Sequence, residues 1–172
     1  MHIQITEQIK LSPLLTTDAL EILNLVNANR VNLNKFLYWV KEVNCIDSAQ
    51  RYLSDRINSD LSGARWFKIY FKGRISGIFA IKSVCRDSFI AELGYWLASA
   101  AQGHGVISKV IQKLPEMLNG SGAKVIEFRC LEQNYASINI ALKSGATLVD
   151  TIPDYMFTDQ AKQKLHIYRL PL

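Results

Sequence analysis

FIAELGYWLASAAQGHGVISKVI, residues 89–111, is the stretch on which the fold turns. Phe89 to Leu97 has the apolar, β-branched and aromatic character of a strand, and its apolar residues occupy both alternating faces. Phe89, Ala91, Leu93 and Tyr95 lie on one face and Ile90 and Trp96 on the other, so the strand is expected to be central. A short loop, Gln102-Gly103-His104-Gly105, leads into a helix with Val106, Ile107, Val110, Ile111, Leu114, Met117 and Leu118 on one face. The first amides of a helix have no internal partners, and the helix dipole adds partial positive charge there. Such a terminus holds phosphate oxygens, and Gly103 and Gly105 remove side chains where a pyrophosphate would approach the backbone. An ordinary glycine-bearing strand-to-helix turn carries the same short pattern.

Working outward, the N-terminal MHIQITEQIKL alternates and reads as one strand. Thr17-Asp18 offers an N-cap for a helix carrying Leu20, Leu23 and Val26. Residues Asn32 to Lys41, rich in aromatics, are expected to form a second short helix. Asp47-Ser48 opens a third with Ala49, Leu53, Ile57 and Leu61 on one face. Trp66 to Phe71, the turn Lys72-Gly73-Arg74 and Ile75 to Val84 form a hairpin, and Arg86-Asp87-Ser88 turns into the strand at Phe89. Beyond Gly120 and Gly122 come a strand Val125 to Leu131 and a helix Ala136 to Ser144 ended by Gly145. Strands Thr147 to Ile152 and Lys164 to Leu170 close the chain. This order is mixed α/β (α+β type) around one central sheet, with residues 1–172 as a single domain.

Two further features point to chemistry. Glu92 lies inside an apolar strand, where a carboxylate is costly unless paired, hydrated or lining a cleft. It reads equally as a proton acceptor whose pKa burial would raise, or as an ion-pair partner of Lys82 or Arg129. Asn134-Tyr135-Ala136-Ser137 joins a strand end to a helix. Asn134 and Ser137 are capping residues, or polar donors at the carboxyl edge of a sheet, where ligands bind in α/β folds.

The remaining composition narrows the field. No apolar run approaches the ~18 residues needed to cross a bilayer, and the N-terminus lacks a secretory pattern, so no membrane partner and a cytoplasmic location are expected. Cys45, Cys85 and Cys130 form neither a metal-ligand pattern nor a disulfide framework, and no metal is expected. The net charge of +5 comes from scattered Lys and Arg without interleaved aromatics, so nucleic-acid binding is not expected.

The order of these features resembles the GNAT acetyltransferase superfamily. Its Q/R-x-x-G-x-G/A loop is matched by Gln102-Gly103-His104-Gly105-Val106-Ile107, and its N-x-x-S by Asn134 to Ser137. Glu92-Leu93-Gly94-Tyr95-Trp96-Leu97 resembles the branch that acetylates N-termini of ribosomal proteins. The resemblance implies a central mixed sheet with flanking helices, splayed between its fourth and fifth strands near Leu97 and Leu131. It implies acetyl-CoA as co-substrate, with pyrophosphate on the amides of Gly103 to Ser108. Asn134 would contact the pantetheine arm, Ser137 the sulfur, and Leu97 the thioester oxygen, with Glu92 accepting a proton through water. Ile107 stands where the family has a small residue, and Ala141 where many members carry a tyrosine that protonates the leaving thiolate. The branch's late acid falls on Met156, with Asp154 close by.

The acceptor implied is a protein N-terminal α-amine, whose pKa near 7.7–8.0 leaves a useful neutral fraction at pH 7. A polyamine or aminoglycoside drawn by Asp150, Asp154 and Asp159 is one alternative. A CoA-binding regulatory domain without turnover is another. Phe36, Tyr38 and Trp39 are candidates for the acceptor cleft or a homodimer contact, although such clusters are more often core.

Overall fold

Alternation at the N-terminus folds into a hairpin, β1 (Ile3–Thr6) and β2 (Ile9–Pro13), where one strand was expected. Thr6 makes the turn: its Oγ1 accepts from the amides of Gln8 at 3.3 Å and Ile9 at 3.2 Å. The computed structural model describes residues 2–157 and 162–172. Helix α1 (Ala19–Leu33) follows, then a 3₁₀ turn at Tyr38–Lys41 and α2 (Ile46–Ile57). Strands β3 (Arg65–Phe71), β4 (Arg74–Val84) and β5 (Ile90–Leu97) form the antiparallel meander. Helices α3 (Val106–Gln112) and α4 (Leu114–Met117), strand β6 (Val125–Leu131), helix α5 (Tyr135–Lys143) and strands β7 (Thr147–Phe157) and β8 (Lys162–Pro171) complete the chain.

Four local expectations are corrected. The aromatic segment after α1 is a single 3₁₀ turn, because Arg30 reaches from α1 to the carbonyls of Val40 and Val43 and holds the chain in a loop. Leu20 points outward, the buried stripe of α1 being Ala19, Ile22, Leu23 and Val26. Leu61 lies beyond α2 and is exposed. The helix expected from Val106 to Leu118 breaks at Lys113, since Pro115 has no amide to continue the ladder and restarts the helix from its first turn.

The strands form one sheet in the order β1-β2-β3-β4-β5-β6-β8-β7. Neighbours are antiparallel except β5 and β6. Helices α3, α4 and α5 cover one face, over a core containing Phe79, Leu93, Val110 and Phe128. Helices α1 and α2 cover the other, around Ile22, Trp39, Leu53 and Trp96. With both faces covered, β5 has the two-sided apolar pattern of a central strand.

The parallel pair is short. Ile90, Ala91 and Glu92 pair with Val125, Ile126 and Glu127, and pairing stops there. Strand β5 continues to Leu97 against β4, and β6 continues to Leu131 against β8. The two strands therefore separate toward their carboxyl ends; with the N-terminal hairpin counted as the one strand expected there, they are the fourth and fifth strands of the sequence reading.

The closed end of this split is pinned by charge. Glu92 and Glu127 face each other across the parallel pair. Lys82 and Arg129 (3.9 Å) pair with Glu92, and Arg129 (3.4 Å) and Arg169 (2.9 Å) with Glu127. The open end is shaped by Gly77 on β4. A β-carbon there would stand 2.1 Å from the Trp96 carbonyl oxygen, so β4 approaches the end of β5 more closely than any side chain permits. Gly77→Ala is expected to cost about 3 kcal/mol, since backbone must move to relieve the contact. Urea denaturation checks this, and an unchanged midpoint would contradict it.

Candidate active site

The split between β5 and β6 opens into a cleft of about 270 Å³. Its walls come from the end of α1 and the loop after it (Asn32, Leu33, Lys35, Phe36, Leu37) and from the end of β5 (Tyr95, Trp96, Leu97). Gln102 and Ile107 line it beside the glycine loop, and Asn134, Ala136, Ser137 and Ile140 from the start of α5. Hydrogen bonds hold α1 over the end of β5: Asn29 Oδ1 accepts from the Ser99 amide at 2.8 Å, and Asn32 Nδ2 donates to Ser99 Oγ at 2.9 Å. Phe36 and Met156 pack on Leu131, Leu165 and Ile167, which carries the loop after α1 across the split.

Six of the residues singled out in the sequence meet here: Phe36, Leu97, Gln102, Ile107, Asn134 and Ser137. Gln102 Nε2 donates to the Leu97 carbonyl at 3.1 Å, tying the glycine loop to the strand end. Asn134 caps α5, its Oδ1 accepting from the Ser137 amide at 3.3 Å, so it serves the helix while facing the cleft.

The loop before α3 turns through left-handed backbone at Gly103 (φ 78) and Gly105 (φ 68), and a β-carbon at either would meet open space. The first bond of α3 runs from the Lys109 amide to the Gly105 carbonyl at 3.0 Å, so the amides of Val106, Ile107 and Ser108 precede the helical ladder. Side chains of Val106 and Ile107 are buried in the core, leaving backbone as what these residues present to solvent. His104 is exposed, its ring 5.2 Å from that of Phe71.

Other candidates lie elsewhere. Glu92 is held by Lys82 and Arg129 at the closed end of the split and does not line the cleft. Trp39 is buried against Tyr52 (4.3 Å) and Trp96 (5.9 Å), and exposed Tyr38 borders a separate hollow beside Arg51 and Arg56. Asp154 is exposed and ion-paired to Lys162 at 2.8 Å, and Asp150 is exposed, its Oδ1 accepting from the Thr151 amide. Asp159 lies outside the described residues. Among the described residues, no group of three His, Cys, Asp or Glu could hold a metal, and no helix is long and apolar enough to cross a membrane.

Lys35 and Tyr95 are cleft residues that the sequence reading did not select. Alternation along β5 puts Tyr95 with Leu93 and Leu97, but nothing in that pattern shows where its hydroxyl ends.

The chain belongs to the GNAT acetyltransferase family: the model described as "Acetyltransferase (GNAT) domain" matches residues 8–147. It is similar to the ribosomal-protein-serine acetyltransferase of Escherichia coli (strain K12), 23% identical over 168 residues, which are 96% of this chain and 94% of that protein. Among solved structures it superposes on the ribosomal L7/L12 alpha-N-protein acetyltransferase RimL in complex with coenzyme A with a TM-score of 0.91. That match has 19% identity and covers 100% of this chain and 98% of the other. The microcin C7 self-immunity acetyltransferase MccE, in complex with acetyl-CoA and AMP, gives a TM-score of 0.88 at 25% identity over 99% and 96%. The GNAT fold and acetyltransferase class expected from the loop and N-x-x-S motifs therefore hold.

The three cysteines contrast sharply. Burial pushes the Cys130 thiol up to about 12, while hydrogen bonds with Ser48 and Ser88 lower those of exposed Cys45 and Cys85. Iodoacetamide at neutral pH is expected to modify Cys45 and Cys85 and to spare Cys130 until the chain unfolds, read by peptide mass spectrometry. A buried thiol of raised pKa keeps its proton when the unfolded chain has lost it. Cys130 therefore makes stability fall as pH rises above the unfolded value of ~8.5, and Cys130→Ala should flatten that decline.

Proposed function

We propose that this enzyme transfers the acetyl group of acetyl-CoA to a protein N-terminal α-amine, of the ribosomal-protein kind named for its relatives, in the cytoplasm. The observation carrying this is the split itself: two strand edges left without partners open onto a left-handed glycine loop and unpaired helix amides. Backbone groups of this kind demand hydrogen-bond partners, and an extended amide-containing arm supplies them.

The residues present fit that co-substrate. Open space beside Gly103 and Gly105 leaves room for a pyrophosphate against the amides of Gly103 to Ser108, and Asn134 and Ser137 line the route to the thioester. The Ala98 amide bonds to Ser76 of β4 at 2.8 Å, so the alternation of a strand turns the Leu97 amide the other way, into the split. There it can donate to the thioester oxygen as negative charge develops. The amine attacks the carbonyl carbon, the C–S bond breaks, and the amine's surplus proton leaves through water. Holding amine and thioester together supplies most of the acceleration, because an α-amine is already partly neutral at pH 7. Glu92 remains the candidate acceptor at the far end of that water path. Held by Lys82 and Arg129 away from the cleft, it acts only through water, and its contribution belongs near ~10², the low end of general-base catalysis.

Among the described residues no carboxylate lines the cleft and Lys35 does, which favours a peptide N-terminus over a polyamine or aminoglycoside. Of the three aromatics considered for a homodimer contact, Tyr38 alone is exposed and is the one open to a second copy.

The test is thiol release from acetyl-CoA with a panel of peptides and small amines, products identified by mass spectrometry. Acetylated peptide N-termini are expected; acetylation of small polycations alone would overturn the acceptor class. Glu92→Gln should lower kcat by up to about a hundredfold, while the fall in rate as the acceptor amine protonates stays. An unchanged rate against pH would reduce Glu92 to its ion pairs.

A further inference from the structure

The hydroxyl of Tyr95 is an unspent donor in the wall of the cleft. Its Oη is sealed from solvent and meets no hydrogen-bond partner among the described residues, although the residue lines the split. A sealed hydroxyl without a protein partner carries a free-energy cost, so such a group calls for a role. Packing fixes its direction: the ring lies parallel to that of Phe79, centroids 6.5 Å apart at 7°, on the α5 side of the sheet. Ser137, on the first turn of α5, is near enough for its side chain to favour the phenolate, yet the pair does not close a hydrogen bond. Burial outweighs that influence and pushes the phenol up, so it stays protonated and a donor throughout the working range. Ala141, one turn after Ser137, is fully buried and brings no polar group to this wall.

We propose that Tyr95 is a positioning residue for the departing thiolate: its hydroxyl donates to Ser137 Oγ and thereby aims the Ser137 hydroxyl proton at the CoA sulfur. This rests on the acetyl-transfer reading. In the reaction the N–C bond forms, the C–S bond breaks, and the electron pair moves onto sulfur. Ser137 donates a hydrogen bond to that charge and keeps its proton. The proton that neutralises the sulfur is the one the amine released, returned through water. Serine alone is a poor stabiliser because its hydroxyl rotates and can turn back to a helix carbonyl. Once Oγ accepts from Tyr95 as the CoA sulfur enters the cleft, its own proton is left for the sulfur.

Tyr95→Phe keeps the ring and removes the donor. The full-length variant is compared with wild type, Ser137→Ala and the double variant, with free CoA as probe and the bound thiol titrated by thiolate absorbance. The bound thiol is expected to titrate about one unit higher in Tyr95→Phe, a tenfold change, with kcat about tenfold lower and KM for acetyl-CoA unchanged. In the Ser137→Ala background the Tyr95→Phe change should have no further effect. The melting temperature of the ligand-free variant should not fall, because an unsatisfied hydroxyl has been removed. Identical thiol titrations in wild type and Tyr95→Phe would overturn the proposal, as would additive effects of the two substitutions. A rate loss matched by a lower melting temperature would make Tyr95 structural. Failure of wild type to bind CoA would instead sink the acetyl-transfer reading, and this proposal with it.

Discussion

Three residue pairs of parallel sheet, Ile90 to Glu92 against Val125 to Glu127, govern the rest of the molecule. A longer ladder would satisfy the inner edges of β5 and β6 and leave nowhere for a ligand arm. A shorter one would weaken the join between the two halves of the sheet, since this pairing is the ladder that links β6, β8 and β7 to β1 to β5. The pairing ends where two carboxylates face each other across the strands, and Lys82, Arg129 and Arg169 neutralise them. Opposed like charges are destabilising in a sheet unless compensated, so this network marks where the ladder holds. Glu92, conspicuous in the sequence as a polar residue in an apolar strand, is first a part of that clasp.

Above the clasp, the cleft is completed from both faces. Helix α1 is tied to the end of β5 through Asn29, Asn32 and Ser99, and Phe36 spans to the β6 side. From the other face come the glycine loop, held to Leu97 by Gln102, and the capped start of α5. The site is thus largely backbone and amide in character, suited to an extended amide chain, and its chemistry depends on placement more than on strongly activated side chains.

Much of this was legible in the sequence because two-sided burial, capping residues and left-handed glycines leave local marks. The two-faced apolar pattern of β5 located the centre of the sheet. Gln102 to Gly105 and Asn134 to Ser137 located two walls of the cleft. What failed were features set by contacts distant in the chain. The turn at Thr6 depends on one side-chain oxygen, and the loop after α1 on Arg30 reaching ten and thirteen residues ahead. Trp39 was a candidate for the acceptor cleft and is packed between Tyr52 and Trp96. Tyr95 went unnoticed because its distinction is an empty hydrogen-bonding site, which no spacing reveals.

The central claim is that the open edges of β5 and β6 receive the arm of acetyl-CoA. Amide hydrogen exchange, with and without acetyl-CoA, reads those edges directly. Amides of Leu93 to Leu97 and Phe128 to Leu131 that point into the split should slow on binding, while those paired to β4 and β8 should change little. Binding that leaves the inner edges exchanging as before, and protects another surface, would contradict the account.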